Sequence, residues 1–338
     1  MTATKAWASW RIWKAYAILF ALPMVLATWA TASEQKNASY TTGGDTITFG
    51  IRTRPAPEYR PVLEYQVAPN PRKPYVKQML TPGGINVLRD SPDDHRHHHA
   101  LMFAVSVDGV DYWSEHDGCG RQVSRHANRE ASRQVEGPFV GGATGFGAYG
   151  SFTQSLNWTD PGGQKTLLQE ERTIWVHGLY DVPATLVTWR SRLAPPPGKD
   201  TVTLTGSSYF GLGMRFLPSM DTGGQFQNAD GATGVNGTNA SRSAWCAYTA
   251  SANGKPVTVA MFDDKANLRH PATWFTMEKF AYVSATLNLH KQPLKFEAGK
   301  PLDLRYGVAL WDGKVDKARI EKLYGRWLDL AALETADD

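Results

Sequence analysis

Cysteine is scarce in this 338-residue chain, which has only Cys119 and Cys246. Two thiols allow at most one disulfide, and positions so far apart in the sequence do not show whether they meet. A disulfide between them and two separate buried thiols both remain open. A chain of this length can bury a large core, so its stability does not depend on a disulfide.

Metal motifs are also lacking. The sequence has no HExxH motif, and no Cys/His pairs at zinc-finger spacing are evident. No zinc enzyme or zinc finger is therefore predicted from a motif alone.

Long apolar runs are absent after residue 30. Before that point, three basic residues precede the apolar stretch at 15–30, which ends in small residues suited to cleavage. This arrangement is typical of a secretory signal peptide, whereas an uncleaved anchor fits less well because the run is short and interrupted by proline. We predict a leader at 1–32 and an exported mature chain, periplasmic or extracellular, that starts near Ser33 and has no membrane contact after cleavage.

Charge of one sign does not dominate. The formal net charge is +4, and the predicted leader carries three positive charges and no negative ones, so the mature chain has a charge of +1. Nucleic-acid binding depends on many cationic contacts to phosphate. We therefore expect no nucleic-acid partner and favour a neutral or small one.

Helical periodicity is rare, and two-residue alternation is common. Apolar residues alternate with others in segments along the mature chain: 47–51, 101–107, 257–261 and 302–310. A single helical stripe lies near the end: Ile320, Leu323, Tyr324, Trp327 and Ala331. Without regularly alternating strands and helices, a parallel α/β sheet is not expected. We predict one mainly antiparallel β-sandwich over 45–338, with one C-terminal amphipathic helix packed on it.

Turn-forming residues separate the predicted strands. Within 101–113, Asp108-Gly109 predicts a β-hairpin with a type I′ turn. Residues 33–44 are polar and predict a flexible, loosely ordered start. The Gly, Asn, Ser and Thr-rich stretch at 218–243 predicts a long loop, either a functional lid or a mobile surface insertion.

Residues 90–99, DSPDDHRHHH, contain the most reactive cluster in the sequence. If the segment is extended, His95, His97 and His99 share one side and His98 the other. A His-x-His pair can bind a metal ion, with Glu115, His116 or His270 as the third ligand. This gives the alternative of a divalent metal held by His95 and His97.

Proton transfer is the other use of such a cluster, because imidazole titrates near neutral pH. The neighbouring Asp93 and Asp94 are able to orient an imidazole. This interpretation requires no cofactor, and we favour it over the metal site. A third interpretation is purely structural, with ring nitrogens that cap backbone groups.

Other short stretches combine polar and aromatic residues. They supply the candidate residues Arg215, Arg242, Asn267, Arg269, His270 and Trp274, together with Glu115 after the predicted hairpin. Each also has an ordinary structural explanation, such as an arginine at a strand edge or a tryptophan in the core. Together they suit a sugar, whose ring stacks on aromatic side chains and whose hydroxyls need many donors and acceptors.

The stretch RDSPDDHRHHHALMFAVSVDGVDYWSE at 89–115 resembles the signature of bacterial proteins labelled PmoA-like. GLGMRF at 211–216, RSAW at 242–245, NLRHPATWF at 267–275 and the closing LYGRW helix extend the resemblance over nearly the whole mature chain. Arg96 replaces the proline usual in the family motif. The methane monooxygenase subunit behind the label spans the membrane many times, so we reject that function here.

The resemblance implies a β-supersandwich similar to galactose mutarotases and some polysaccharide lyases, and an exported protein of bacteria rich in glycan-degrading proteins. Its motifs contain the residues that we assign to a site. The predicted catalytic residues are His95, His97, His98, Glu115 and His270. The predicted substrate-binding residues are Arg89, Asp94, His99, Arg215, Arg242, Asn267, Arg269 and Trp274. We expect mutarotase or epimerase, lyase or hydrolase chemistry, with a non-catalytic glycan-binding module as a further alternative.

Overall fold

Antiparallel strands make up most of the computed structural model. It describes residues 35–43, 45–54, 59–67, 72–125, 135–136, 146–179, 182–277 and 279–336, so the predicted leader lies outside the described residues. The strands are β1 (Gln35–Gly43), β2 (Thr46–Arg54), β3 (Tyr59–Gln66), β4 (Tyr75–Met79), β5 (Leu101–Ala104), β6 (Ser106–Val107), β7 (Val110–Asp111), β8 (Arg121–Ser124), β9 (Val135–Glu136), β10 (Phe146–Thr159), β11 (Thr166–Leu179), β12 (Thr185–Ala194), β13 (Thr201–Thr205), β14 (Gly211–Arg215), β15 (Gln225–Asn228), β16 (Trp245–Ala252), β17 (Lys255–Asp263), β18 (Thr273–Met277), β19 (Tyr282–Thr286), β20 (Leu294–Glu297) and β21 (Leu302–Asp312). The helices are a short 3₁₀ helix (Pro218–Met220), α1 (Gly234–Thr238) and α2 (Lys317–Ala336).

The strands form two large sheets and one small one. The first sheet has the order β1-β2-β3-β4-β5-β14-β19-β18, and the second has the order β15-β16-β17-β21-β12-β11-β10-β8, with β9 beside β10. The small sheet has the order β20-β13-β6-β7. Adjacent strands pair antiparallel, for example β5 with β14 and β12 with β21. The predicted mainly β, antiparallel fold class is confirmed.

The two large sheets enclose the main hydrophobic core. The Phe152 ring of β10 lies 5.4 Å from the Phe49 ring of β2 and 4.7 Å from the Tyr65 ring of β3. These rings belong to one continuous cluster of buried apolar residues that both sheets supply. Burial of such a cluster is the main force that holds two sheets face to face.

Helix α2 covers the outer side of the second sheet. The predicted stripe Ile320, Leu323, Tyr324, Trp327 and Ala331 is buried there. The Trp327 indole also donates a hydrogen bond to the Thr188 hydroxyl at 2.9 Å. The predicted C-terminal amphipathic helix is therefore confirmed, and none of the described helices is long and apolar enough to cross a bilayer.

The predicted hairpin turn is confirmed, and the two strands that it joins, β6 and β7, pair with each other in the small sheet. Asp108 and Gly109 have φ values of 48° and 86°, as a type I′ turn requires. The chain leaves the first sheet after β5 and enters the small sheet as β6. The predicted continuous strand at 101–107 is thus divided at Val105.

Two regions predicted as irregular contain regular structure. Residues 218–243 include the 3₁₀ helix, β15 and α1, where a long loop was predicted. Residues 35–43 of the predicted loose start form β1, which pairs with β2 along its whole length. In both cases backbone hydrogen bonds to a neighbouring strand hold polar residues in place, and hydrophobic patterning gives no signal for this kind of pairing.

Candidate functional site

Three neighbouring strands meet at one end of the first sheet. Strand β5 begins directly after the histidine segment, β14 ends at Arg215, and β19 begins at Tyr282. Arg215 pairs with Tyr282 across the sheet, and its backbone N–H donates to the Ala100 carbonyl at 2.8 Å. The sheet register therefore places Arg215 and Tyr282 beside the histidines.

The histidine segment folds into successive tight turns and is not extended. The backbone N–H of His95 donates to the Pro92 carbonyl, and that of His98 donates to the His95 carbonyl, each at 2.9 Å. Asp90 and His99 then form an antiparallel bridge that closes the segment. The two-sided alternation that we expected for an extended chain is therefore wrong.

These turns separate three histidines from the fourth. The ring centroids of His95, His97 and His98 lie 5.9, 4.6 and 4.7 Å from one another. His99 does not share this ring cluster, and its side chain is fully buried. The cluster therefore contains His98 in place of His99.

His99 lies between two carboxylates. Its Nδ1 is 2.9 Å from Asp90 Oδ1, and its Nε2 is 3.1 Å from Glu115 Oε1. Burial alone would lower the pKa of His99, but the hydrogen bonds to Asp90 and Glu115 raise it above its usual value. The imidazole is thus held in its charged form, which allows both nitrogens to donate.

Lys73 extends this buried network of charges. Its ammonium donates to Glu115 Oε1 at 2.6 Å and to the Trp113 carbonyl at 2.9 Å. Burial would raise the pKa of Glu115, but the hydrogen bond from His99 and the charge of Lys73 hold it below its usual value. Burial lowers the pKa of Lys73, and Glu115 opposes that change. Glu115 is therefore an ionised carboxylate at neutral pH.

Two histidines of the ring cluster have pKa values that shift in the opposite direction, downward. Burial, followed by the neighbouring His97 and His95, lowers the pKa of His98 to about 3. Burial, followed by Lys73, lowers the pKa of His97 as well. Both rings are therefore neutral at pH 7, a few residues from a charged imidazole. Such contrast between neighbouring titratable groups is typical of acid/base sites.

Five buried polar atoms around this cluster have no hydrogen-bond partner among the described residues. They are His98 Nδ1, Trp113 Nε1, Arg215 Nε, Tyr282 OH and Ser284 Oγ. Each belongs to a residue that is at most 7% exposed. Buried polar groups are nearly always paired because an unpaired one costs about 1–3 kcal/mol. Their accumulation at one place leaves several donors and acceptors available to a polar partner.

Ring contacts show that these groups are neighbours. Tyr282 lies 5.5 Å from His98 and 6.2 Å from Trp113 between ring centroids. Ser284 follows two residues after Tyr282 on β19, so both side chains face the same side of the sheet. Gly213 pairs with Ser284. A Cβ on Gly213 would collide with the Tyr282 hydroxyl, which lies over this position.

Phe280 completes one wall of the cluster. The Arg215 guanidinium lies over its ring, 3.9 Å from the centroid, and the His95 ring is 4.9 Å away. Arg89 joins the same region, because its backbone N–H donates to the Arg215 carbonyl at 3.0 Å. Asp94 Oδ2 lies 3.0 Å from His95 Nδ1.

The predicted site residues therefore fall into two groups. Around the histidine turns the structure gathers Arg89, Asp94, His95, His97, His98, His99, Glu115 and Arg215. The others, Arg242, Asn267, Arg269, His270 and Trp274, lie in the segment at 267–274 or bind to it. Among the described residues, no hydrogen bond, ion pair or ring contact joins this second group to the histidine turns.

In the second group the side chains bind other parts of the chain. His270 Nδ1 lies 2.7 Å from Asp263 Oδ2, and the Asn267 amide donates to Asp263 Oδ1 at 2.7 Å. Arg242 donates to the carbonyls of residues 269–271, and Arg269 donates to those of residues 287, 292 and 293. Trp274 is buried, and its indole N–H donates to the Ser243 carbonyl at 2.8 Å, so its polar group is already paired within the fold.

Sequence reasoning missed several residues of the first group. Tyr282 and Ser284 lie on a strand whose polar residues alternate, a pattern that points one face toward a polar region. Lys73 and Asp90 gave no comparable signal, because their contacts join segments far apart in the chain.

The possible disulfide between Cys119 and Cys246 does not form. Both cysteines are free and buried, so the alternative of two separate thiols is correct. Within the described part of the chain, the one group of three or more metal-binding side chains is Asp111, His116 and Cys119. His95 and His97 do not form such a group with any of their predicted third ligands.

Comparison with known proteins identifies the family of this chain and gives little information about its chemistry. A search of curated protein sequences gave no match. Among solved structures, the chain is similar to one described as a "putative aldose 1-epimerase" from Klebsiella pneumoniae subsp. pneumoniae MGH 78578, with 8% identity, a TM-score of 0.35 and coverage of 87% of this chain and 91% of that chain. A similarity this distant carries no information about substrate. The PmoA-like name is not confirmed. Residues 57–325 match the model of a family of unknown function, DUF6807. The chain therefore belongs to the DUF6807 family.

Proposed function

We propose that this protein is an enzyme that binds a sugar at the histidine turns and transfers a proton through His97. The observation that carries the proposal is the group of five buried polar atoms without partners next to neutral and charged imidazoles. A polyhydroxylated ligand supplies several donors and acceptors within a small volume, which matches these atoms better than an apolar ligand does.

The binding step uses both hydrogen bonds and ring contacts. Trp113 Nε1 and Arg215 Nε are donors, whereas Tyr282 OH and Ser284 Oγ can donate or accept. Phe280 and the histidine rings offer faces for the C–H side of a sugar ring. Pairing of buried groups that are unsatisfied in the free protein makes ligand binding favourable.

The proton-transfer step falls to His97. This half-buried ring is neutral at pH 7, so that it can accept a proton from a sugar hydroxyl or carbon acid. Among the charges around His97, the ionised Glu115 favours a proton on this ring, whereas Lys73 opposes it. The chemistry requires no cofactor: mutarotation, epimerisation and elimination begin with removal of a proton from the sugar, and in hydrolysis the neutral imidazole takes the proton from the attacking water.

The test is a substrate panel with matched variants. Free sugars, glycosides and polysaccharides are incubated with the protein, and mass spectrometry detects cleavage or elimination. NMR detects exchange between anomers or epimers, which leaves the mass unchanged. We expect turnover that falls by about 10²–10⁴ in His97→Ala and is retained in His290→Ala, which changes an exposed histidine outside the site.

Three outcomes are informative. Turnover that survives in His97→Ala would refute the role of His97. Binding of a sugar without any product would favour the non-catalytic glycan-binding module. An absence of both binding and turnover across the panel would refute the carbohydrate proposal.

We also propose export, supported by the leader-like segment at 1–32. Expression of the full chain in a bacterial host followed by N-terminal sequencing of the periplasmic fraction tests it. A mature N-terminus near Ser33 is expected, and retention of the uncut chain in the cytoplasm would contradict the proposal.

A further inference from the structure

Three different metal-binding side chains meet at the end of β7 and in the loop that follows it. The donor atoms of Asp111, His116 and Cys119 all lie within 4.8 Å of one another. His116 and Cys119 have a His-x-x-Cys spacing, which is neither an HExxH motif nor a zinc-finger spacing. We propose that these residues form a binding site for a thiophilic divalent cation of the zinc class.

The backbone holds the three residues in position without a metal. The Cys119 N–H donates to the His116 carbonyl at 3.2 Å, which closes a tight turn between them. The Gly120 N–H donates to the Asp111 carbonyl at 2.9 Å, which joins the end of this turn to β7. Gly118 allows the turn because its φ of 93° strains residues with a side chain. A preformed frame of this kind reduces the ordering cost of binding.

The side chains are also oriented for coordination. Asp111 Oδ1 accepts the Trp113 N–H at 2.7 Å, and Oδ2 lies 4.0 Å from Cys119 Sγ. His116 Nδ1 lies 2.7 Å from the Asp117 carbonyl, so a proton on Nδ1 leaves the Nε2 lone pair for a metal. Zinc-binding histidines commonly donate their second nitrogen to a backbone carbonyl in this way.

The distances require only a small closure. Tetrahedral zinc with ligands at about 2.0–2.3 Å places its donor atoms about 3.3–3.8 Å apart. The pair Asp111 Oδ2 and Cys119 Sγ is close to this range at 4.0 Å. His116 is exposed and can move the remaining distance without disturbing the core. Its exposure also leaves room for a water molecule as the fourth ligand.

The charges balance when the ion binds. The Cys119 thiol now points toward the Asp111 carboxylate, and the cation takes the place of the thiol proton, which is released to solvent. The resulting thiolate and carboxylate neutralise a divalent ion. Arg72 and Lys73 are nearby opposing charges. Arg72 donates to the Cys119 carbonyl and is offset by Asp117, 3.7 Å away, and Lys73 is offset by Glu115 at 2.6 Å.

The proposed ion would fix a loop that also serves the histidine turns. Trp113 and Glu115 lie between Asp111 and His116 and face inward, where they contact His98 and His99. The ion would therefore hold the outer side of a loop whose inner side belongs to the site proposed above. This inference does not depend on the sugar proposal, because it concerns metal binding alone.

Metal binding to the untagged, chelator-treated protein tests the proposal. Equilibrium dialysis against ZnCl₂ followed by elemental analysis is expected to give about one zinc per chain. With CoCl₂, a thiolate-to-cobalt charge-transfer band is expected in the near ultraviolet. Zinc should also raise the midpoint of thermal unfolding by about 4 °C at 100 times its Kd.

Matched variants locate the site. Cys119→Ser should abolish the cobalt band, and the exposed His116→Ala, which does not disturb the core, should weaken zinc binding by at least about tenfold. Cys246→Ala changes the other buried thiol and should retain both. Zinc bound equally well by Cys119→Ser and His116→Ala, or no stoichiometric binding by the wild-type protein, would overturn the proposal.

Discussion

His98 and His99 are consecutive residues whose pKa values move in opposite directions. His98 lies among aromatic rings, and burial lowers its pKa to about 3, whereas His99 lies between two carboxylates that raise its pKa. The tight turn before His99 sends one ring toward the cluster and the other into the charged network. The opposite shifts give the stability of the protein a defined dependence on pH.

The first prediction concerns acid. The folded pKa of His98 lies below its unfolded value of about 6.5, so between about pH 3 and 6.5 the unfolded chain binds a proton that the folded chain does not. Stability from His98 is therefore complete above pH 6.5 and is lost as the pH falls. His98→Gln should reduce the slope of unfolding free energy against pH by up to about 1.4 kcal/mol per pH unit. Urea titrations at pH 5 and 6 measure it.

The control for this experiment is His290→Gln, which changes an exposed histidine. Its slope should match that of the wild-type protein. His177→Gln is a positive comparison, because burial also lowers the pKa of His177 to about 3. Parallel curves for His98→Gln and wild type would contradict the burial of a neutral imidazole.

The second prediction concerns the buried pair of Lys73 and Glu115. Loss of one partner leaves a buried charge with fewer compensating contacts, so Lys73→Met and Glu115→Gln should each cost about 3–5 kcal/mol. The double variant leaves neither charge, and its cost should be clearly smaller than the sum of the two. Urea unfolding of the four proteins gives the coupling energy.

Additive costs in that cycle would show that the 2.6 Å contact between Lys73 and Glu115 contributes little. Glu115→Gln should also weaken the hydrogen bond to His99, since the amide offers no charged acceptor to His99 Nε2. The pKa of His99, followed by NMR, should then fall toward its usual value.

The third prediction concerns the contact between helix α2 and the second sheet. A Cβ on Gly307 would lie 2.8 Å from the Trp327 ring and 2.9 Å from the Phe262 ring. Gly307→Ala should therefore destabilise the protein by about 1–3 kcal/mol through overpacking. Gly325→Ala is the matched control: it lies in α2 with open space around it, so helix propensity should stabilise the protein by up to about 1 kcal/mol. Thermal unfolding distinguishes the two signs.

Helix α2 and the Asp108-Gly109 turn were predictable because their signals are local. A stripe at helical spacing and a dipeptide with positive φ act over a few residues, and the structure confirms both. The turns at 92–99 were not predictable, because four histidines within five positions give no alternation of polar and apolar residues that distinguishes a turn from a strand.

Only part of the candidate site could be predicted from the sequence, for a related reason. Arg215 and the histidines lie in recognisable motifs, whereas Lys73 and Tyr282 reach the site through strand register and loop packing. Trp274 illustrates the same limit, because the sequence does not reveal that its indole N–H is paired with the Ser243 carbonyl in the assembled fold.

The last prediction separates stability from binding at Tyr282. Its hydroxyl is buried and has no partner among the described residues, so the fold gains nothing from it. Tyr282→Phe should leave the free energy of unfolding unchanged or slightly raised, because it removes an unsatisfied buried group. Tyr65→Phe is the matched control, since the Tyr65 hydroxyl donates to Gln154 at 2.7 Å and accepts from Arg172. This variant should destabilise the protein by about 1–2 kcal/mol.

For sugar affinity the order of the two variants reverses. Tyr282→Phe should bind sugar about tenfold more weakly, equivalent to about 1.4 kcal/mol, and Tyr65→Phe should bind it as well as the wild-type protein does. Calorimetric titration with the best ligand from the substrate panel measures this, and a destabilised Tyr282→Phe with full affinity would show that the hydroxyl serves the fold and not a ligand.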